Sequence, residues 1–113
     1  METSNERLYR IQFPTSERPT FEANDCQYVV LDCSETGIRY LVRGSAPEVG
    51  TKVSGVFRLR RGIEVEIAGE VVRVHKGEIG LCLKPPGIPL RIIIAEQLFL
   101  RKHYPSVPDL RVV

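Results

Sequence analysis

Two alternating segments joined by a glycine-containing turn constrain this chain more than any other feature. Apolar residues or glycine occupy every second position over residues 53–59, and apolar residues do so again over residues 63–67. Successive side chains of a β-strand point to opposite faces, so each segment predicts a strand with one apolar face. Arg61-Gly62 between them is typical of a two-residue hairpin turn. The chain must therefore bury one face of an antiparallel sheet.

The charges on this predicted hairpin have opposite signs on its two strands. Arg58 and Arg60 stand on the first strand, and Glu64 and Glu66 stand on the second. Opposite charges that face each other across antiparallel strands stabilise the pairing. We expect a solvated face on which these charges compensate each other.

The neighbouring sequence adds more strands separated by short polar turns. The alternation slips around Ala68-Gly69-Glu70, which predicts a bulge or a corner where the sheet bends to close. Lys76-Gly77 predicts a turn. With a start near Glu17, the count is about six strands, which favours a small antiparallel barrel or sandwich. The other strand predictions cover residues 26–31, 38–42 and 79–83.

The chain changes character after Pro85-Pro86-Gly87. Apolar residues at helical spacing over residues 90–101 predict a helix, with Pro89 in its first turn and Pro105 beyond its end. The helix is apolar on every face, so we expect it to pack on the barrel or on another subunit. It is therefore the candidate surface for a homodimer.

Composition excludes several classes of protein. A length of 113 residues indicates one domain, and a net charge of +2 is too small to indicate nonspecific binding to nucleic acid or membranes. No apolar run reaches the roughly 18 residues of a membrane span, and the polar N-terminus does not resemble a signal peptide. We expect a cytoplasmic protein without a membrane span.

Cysteines and histidines indicate no metal site and no catalysis. Cys26, Cys33 and Cys82 form no Cys-x-x-Cys pair, so we expect reduced, mostly packed thiols. His75 and His103 are isolated, which gives no ligand spacing with a cysteine. No nucleophile stands near a base in sequence. We expect no metal, no cofactor and no catalytic residue, and therefore no enzyme.

The most informative motif is Asp32-x-Ser34-x-x-Gly37, which stands between two predicted strands. One interpretation is structural, because Asp and Ser side chains bond the backbone of turns and glycine permits unusual dihedrals. The other is functional, because an ionised Asp only accepts hydrogen bonds and therefore suits a donor edge of a ligand. The motif by itself leaves both interpretations open.

Its surroundings resemble the PilZ domain family from about Glu6 to Tyr104. Arginines precede the motif, glycine-bent strands follow it, and Gly77 to Leu83 forms the last strand. The resemblance implies a mainly β fold: a six-stranded antiparallel PilZ-type barrel with a C-terminal α-helix. We expect residues 1–15 to form a flexible arm that carries the arginines, residues 16–104 to form the barrel and helix, and residues 105–113 to form an irregular tail.

Many members of this family bind cyclic di-GMP through an Arg-x-x-x-Arg segment and a later (Asp/Asn)-x-Ser-x-x-Gly motif. The second pattern is complete here, but Glu6 stands where the first pattern has its leading arginine, with Arg7 next to it. An arginine fork suits guanine and phosphate oxygens. The resemblance implies ligand contacts from five residues, namely Arg7, Arg10, Asp32, Ser34 and Gly37. Arg39 and Arg73 are weaker candidates, which we interpret first as exposed strand arginines.

Three functions follow. The first is a cyclic di-GMP receptor that changes shape and signals to an unidentified downstream protein. The second is a PilZ-like adaptor that has lost the ligand, for instance in type IV pilus assembly, and Glu6 favours it. The third is a small barrel that binds RNA or single-stranded DNA. Such barrels present stacking aromatics, and four Phe, four Tyr and no Trp argue against this function.

Overall fold

Antiparallel pairing closes the strands of this chain into a barrel. The computed structural model describes residues 10–105, which contain the six-stranded barrel, one short additional strand and a C-terminal helix. This confirms the predicted mainly β fold. The elements are β1 (Ile11–Gln12), β2 (Thr20–Ala23), β3 (Cys26–Ser34), β4 (Gly37–Leu41), β5 (Lys52–Arg58), β6 (Glu64–His75), β7 (Glu78–Leu83) and α1 (Leu90–His103).

The barrel closes because β4 pairs with both β7 and β3. The strand order is β3-β2-β5-β6-β7-β4, and β4 then returns to β3. Strand β1 pairs with the second half of β3, and a 3-10 turn over Thr15–Glu17 separates it from β2. Ile11 and Phe13 are buried in the core. The core therefore includes residues of the segment predicted as an arm. Residues 1–9 of that segment and residues 106–113 of the predicted tail lie outside the described part of the chain.

The hairpin between β5 and β6 has a longer turn than the predicted one. The amide of Leu59 donates to the carbonyl of Ile63, which leaves three residues in the loop. Gly62 has a φ of 96°, a left-handed conformation that glycine adopts without strain. The expectation that Arg58 and Arg60 face the two glutamates is confirmed for Arg58, which stands opposite Glu64. It is wrong for Arg60, which lies in this loop, and Val56 stands opposite Glu66.

Strand β6 bends where the sequence alternation slips. Its register with β7 shifts between Val71 and Arg73, so Val71 is buried while Val72 is exposed. The corner thus lies slightly beyond the predicted site at Gly69. A Cβ atom on Gly69 would lie 2.2 Å from the carbonyl oxygen of Cys82. Glycine there permits the close approach of the two strands.

Helix α1 packs on the barrel with one face only. Ile93 and Leu100 are buried on that face, together with the polar residues Glu96 and Gln97. Arg61 from the β5–β6 loop holds Glu96 through an Nη2–Oε1 contact of 2.6 Å and lies 4.2 Å from the centre of the Phe99 ring. The helix thus packs on the barrel, as expected, and its opposite face, which carries Leu90, Ile94 and Leu98, is exposed in this chain.

The three cysteines differ in exposure, and all are free thiols. Cys33 is buried, and burial raises the pKa of its thiol. Cys26 and Cys82 are exposed, so the expectation of mostly packed thiols is wrong for these two. Over residues 10–105, no helix has the length and apolar character to cross a membrane.

Candidate functional site

The hairpin between β3 and β4 carries the Asp32-x-Ser34-x-x-Gly37 motif. Ser34 pairs with Gly37 across a two-residue tip, so Asp32 and Ser34 belong to β3 rather than to the turn. The oxygen Oγ of Ser34 accepts a hydrogen bond of 3.3 Å from the amide of Thr36, and the residue is buried. This is the structural role that the turn chemistry of serine predicts. Ser34 therefore stabilises the tip of the hairpin through this hydrogen bond.

Gly37 lies where β4 approaches β7 closely. A Cβ atom on this residue would lie 3.1 Å from the carbonyl oxygen of Leu81. Gly37 also lines a polar cleft beside the hairpin. Its lack of a side chain therefore serves both strand packing and access to the cleft.

Asp32 is the centre of the site. Its side chain is only 2% exposed, although it lies on a strand of the barrel wall. Arg10 donates from Nη1 to Oδ1 at 2.7 Å, and Arg39 donates from Nε to Oδ2 at 2.8 Å. A buried carboxylate is stable when it is paired and hydrogen-bonded in this way. The two arginines come from opposite sides of β3 and meet at one carboxylate.

Arg39 connects this carboxylate to a second one. Its Nη1 lies 2.5 Å from Oε1 of Glu78 on β7. The hydrogen bond to Asp32 raises the pKa of the Arg39 guanidinium, and the bond to Glu78 adds to the same effect. Arg39 therefore stays charged and fixed in orientation, whereas Arg10 commits one of the five N–H groups of a guanidinium.

The strand registers place four residues in one row. Asp32 stands opposite Arg39, Arg39 opposite Gly80, and Gly80 opposite Arg73. Neighbouring strands lie about 4.8 Å apart, so the backbones of Arg39 and Arg73 are about 10 Å apart with only Gly80 between them. Within residues 10–105, Arg73 forms no ion pair. Because Gly80 has no side chain, the row has a gap between Arg39 and Arg73.

The cleft over this row has a volume of about 440 Å³. Three arginines and two carboxylates line it, which gives one net positive charge when the histidine is neutral. Its size is typical of small-molecule sites. The lining consists of Arg10, Gln12, Asp32, Thr36, Gly37, Ile38, Arg39, Val72, Arg73, His75, Glu78, Gly80, Leu81 and Cys82.

The structure therefore brings three of the five predicted site residues to the cleft, namely Arg10, Asp32 and Gly37. Ser34 is buried and does not line the cleft, and Arg7 falls outside the described residues. Arg39, which the sequence analysis interprets first as an exposed strand arginine, also lines the cleft. The sequence contains a signal for this position, because a two-residue tip between Ser34 and Gly37 sets Arg39 opposite Asp32. The position of Arg73 depends on the irregularity in β6 and had no comparable signal.

A closed small barrel with a charged cleft on its wall defines a class of binding modules. The sequence matches the PilZ domain family over residues 4–100 of the 113, and the chain belongs to this family. PilZ domains are binding and adaptor modules. A search of curated proteins gave no match.

Proposed function

We propose that this protein is a cytoplasmic cyclic di-GMP receptor rather than an enzyme, and that ligand binding alters its contact with a partner protein. The observation that carries the proposal is the arrangement of Arg10 and Arg39 on the buried carboxylate of Asp32 at the floor of the cleft. Membership of the PilZ family supports the choice of ligand.

Arg10 is the residue best suited to the first contact. Its side chain is 39% exposed, and one Nη1 contact with Asp32 leaves other N–H groups for the ligand. A guanidinium pairs with phosphate oxygens or with O6 and N7 of guanine through two parallel bonds. Asp32 would accept from the N1–H and N2–H groups of guanine only after an arginine shifts, since both of its oxygens are occupied.

The gap above Gly80 suits a base. Arg39 and Arg73 stand on either side of Gly80 in the strand register, and arginine planes stack on aromatic rings. A larger residue at position 80 would fill the floor, because a Cβ atom there would already lie 3.3 Å from Cβ of Arg73. The net positive charge of the cleft is complementary to the two phosphodiesters of the ligand.

Asp32 and a ligand phosphate would compete for the guanidinium of Arg10, and this competition gives a physical reason for a conformational change of the protein. Arg10 begins the segment that contains β1, and its ion pair with Asp32 holds that segment against β3. A ligand phosphate that takes over the guanidinium weakens this attachment. Binding would then be coupled to the position of the N-terminal segment.

A second candidate function is an adaptor that does not bind cyclic di-GMP. Two observations favour it: the carboxylate of Asp32 is satisfied within the chain, and Glu6 replaces the leading arginine of the family pattern. Binding of nucleic acid has less support, because none of the Phe and Tyr residues within residues 10–105 is exposed for a base to stack on.

Calorimetric titration with cyclic di-GMP tests the proposal. We expect Arg10→Ala and Asp32→Ala to lower the affinity at least about tenfold, or about 1.4 kcal/mol, because each removes a charge-assisted contact. Arg58→Ala is the matched control, since Arg58 is also an ion-paired arginine and does not line the cleft.

Three outcomes separate the candidates. Saturable binding that the two cleft variants weaken supports the receptor. Absence of heat at high ligand concentration contradicts it and favours the adaptor. Saturable binding of a generic oligonucleotide with a steep dependence on salt would instead favour a nucleic-acid function.

A further inference from the structure

The two segments that carry the cleft also hold the two ends of α1. At the N-terminal end, the amide of Ile88 donates to the carbonyl of Glu35 at 3.0 Å. Glu35 is part of the tip of the β3–β4 hairpin, between Asp32 and Gly37. A Cβ atom on Gly87 would lie 2.1 Å from the same carbonyl oxygen, so the tip lies directly against the connection to α1.

The C-terminal end is attached to the N-terminal segment. The hydroxyl of Tyr104 donates to Oε2 of Glu17 at 2.7 Å, and Oγ of Ser16 lies 3.4 Å from the same hydroxyl. Arg10 begins this segment in the cleft, and Glu17 ends the 3-10 turn that follows β1. The contact of Arg61 with Glu96 holds the middle of the helix.

The outward face of α1 is apolar and basic. Leu90, Ile94 and Leu98 recur at every fourth position, with exposures of 38%, 39% and 57%. Residues at this spacing share one face of a helix. The exposed charged residues of the helix are Arg91, Arg101 and Lys102, and its only acidic residue, Glu96, is buried. We call the surface formed by Leu90, Arg91, Ile94, Leu98 and Lys102 the α1 face.

We propose that the α1 face binds an acidic amphipathic helix of a partner protein. Three apolar side chains in line suit the apolar stripe of another helix, which packs at i, i+3 and i+4 spacing. The basic flanks complement acidic residues beside that stripe. Ligand binding in the cleft regulates the α1 face through Glu35 and Glu17, an inference that rests on the proposed function.

Charge and composition argue against the other occupants. A second copy of α1 would bring basic residues against basic residues, and no exposed carboxylate on the helix would compensate them. Attraction of an amphipathic helix to anionic lipids typically takes a cluster of about four to eight Lys or Arg residues. Helix α1 exposes three, namely Arg91, Arg101 and Lys102, which favours a protein partner over a membrane.

Fluorescence anisotropy with the full chain and a labelled peptide tests the surface. The probe is a peptide of about 14 residues, the length of α1, with Leu at heptad a and d positions, Glu at the flanking e and g positions and Ala at the others to favour a helix. We expect saturable binding that Ile94→Gln and Leu98→Gln weaken about tenfold each. Val49→Gln is the matched control, because Val49 is 64% exposed outside the face.

Charge reversal makes the test specific. We expect a peptide with Lys in place of Glu not to bind the wild type, and Arg91→Glu to reduce binding of the acidic peptide. Equal binding of both peptides, or of neither, overturns the proposal. Binding of the protein to vesicles with about one third anionic lipid, without binding to the peptide, also overturns the proposal.

Two other results would also overturn it. One is dimerisation in sedimentation velocity that Leu98→Gln abolishes, since the occupant would then be a second copy. The other is peptide binding that is seen only after Leu110→Gln and Val112→Gln, since the chain's own C-terminal residues would then cover the face.

Hydrogen exchange tests the coupling separately. We expect cyclic di-GMP to change exchange of the amides over residues 88–104, and Tyr104→Phe to remove the change at the C-terminal end. Calorimetry of this variant should still show saturable ligand binding, with an affinity altered by the lost coupling. Ligand binding with unaltered exchange in α1 overturns the coupling and leaves the receptor function intact. Absence of ligand binding contradicts the receptor function, and the peptide titration still decides the α1 face.

Discussion

Two ion clusters on the barrel wall share one arrangement, in which a central charged group lies between two groups of opposite charge, but the signs are reversed. In the cleft, the carboxylate of Asp32 lies between Arg10 and Arg39. On the β2–β5–β6 side, the guanidinium of Arg58 lies between Glu22 and Glu64. Both clusters join three neighbouring strands, and hydrogen bonds to carboxylates raise the pKa of both Arg39 and Arg58.

The clusters differ in the exposure of their central group. Asp32 is 2% exposed, whereas Arg58 is 35% exposed and its partners are more exposed still. Removing one partner of a buried charge leaves it without compensation, but exposed pairs contribute little because water solvates their charges. The same pattern of charges therefore builds a site in one place and a solvated surface in the other.

The largest effect is expected from loss of the buried carboxylate. Asp32→Ala should lower the free energy of unfolding by about 2 kcal/mol, because it removes hydrogen bonds to charged groups and leaves two arginines facing each other. The partial exposure of both arginines limits the loss. Urea denaturation of wild type, Asp32→Ala and Asp32→Asn measures it. A loss no larger than that of Arg58→Ala would remove the distinction between the clusters.

Alkaline pH should act on a residue outside both clusters. Burial raises the pKa of Tyr40 to about 12, with a smaller contribution from neighbouring Tyr28. The folded protein holds this proton more tightly than the unfolded chain, so the associated stability is present below pH ~10 and is lost as the pH rises to ~12.

We expect a loss on the order of 1–2 kcal/mol between these limits, measured by denaturation at a series of pH values. Tyr40→Phe should flatten the dependence, because Phe cannot ionise. An equally steep decline in Tyr40→Phe would assign the alkaline loss to other groups.

Exchange of arginine for lysine separates geometry from charge. Arg39→Lys should cost about 1 kcal/mol, since lysine has no planar fork with which to bond two carboxylates at once. Arg58→Lys should cost less, because the carboxylates around it are solvated. Thermal unfolding of the two variants in parallel measures the difference. Equal shifts in Tm would mean that orientation matters no more in the cleft than on the surface.

The smallest effect belongs to the exposed cluster. Arg58→Ala should produce no resolvable change in stability, and a rise in salt concentration should remove whatever difference exists. Chemical denaturation at low and high ionic strength measures both effects. A marked destabilisation that persists at high salt would show that Arg58 acts through packing of its alkyl chain.

The local sequence determined much of the architecture. Period-two alternation predicted the strand pair β5–β6, Lys76-Gly77 predicted the turn before β7, and helical spacing after Pro89 predicted α1. These signals work because strand and helix periodicities are properties of neighbouring residues. The misplaced Arg60 shows the limit, since one additional loop residue changes which side chains face each other.

The sequence by itself also determined the residue types of the site, because the Asp32-to-Gly37 motif and Arg10 are visible without coordinates. Only the tertiary structure decided that Arg39 and Arg10 meet on the carboxylate of Asp32 while Ser34 bonds the amide of Thr36 in the hairpin tip. The physical reason is register. A closed barrel aligns residues from strands far apart in the chain, and one irregularity such as that at Val72 changes which of them share the outer face.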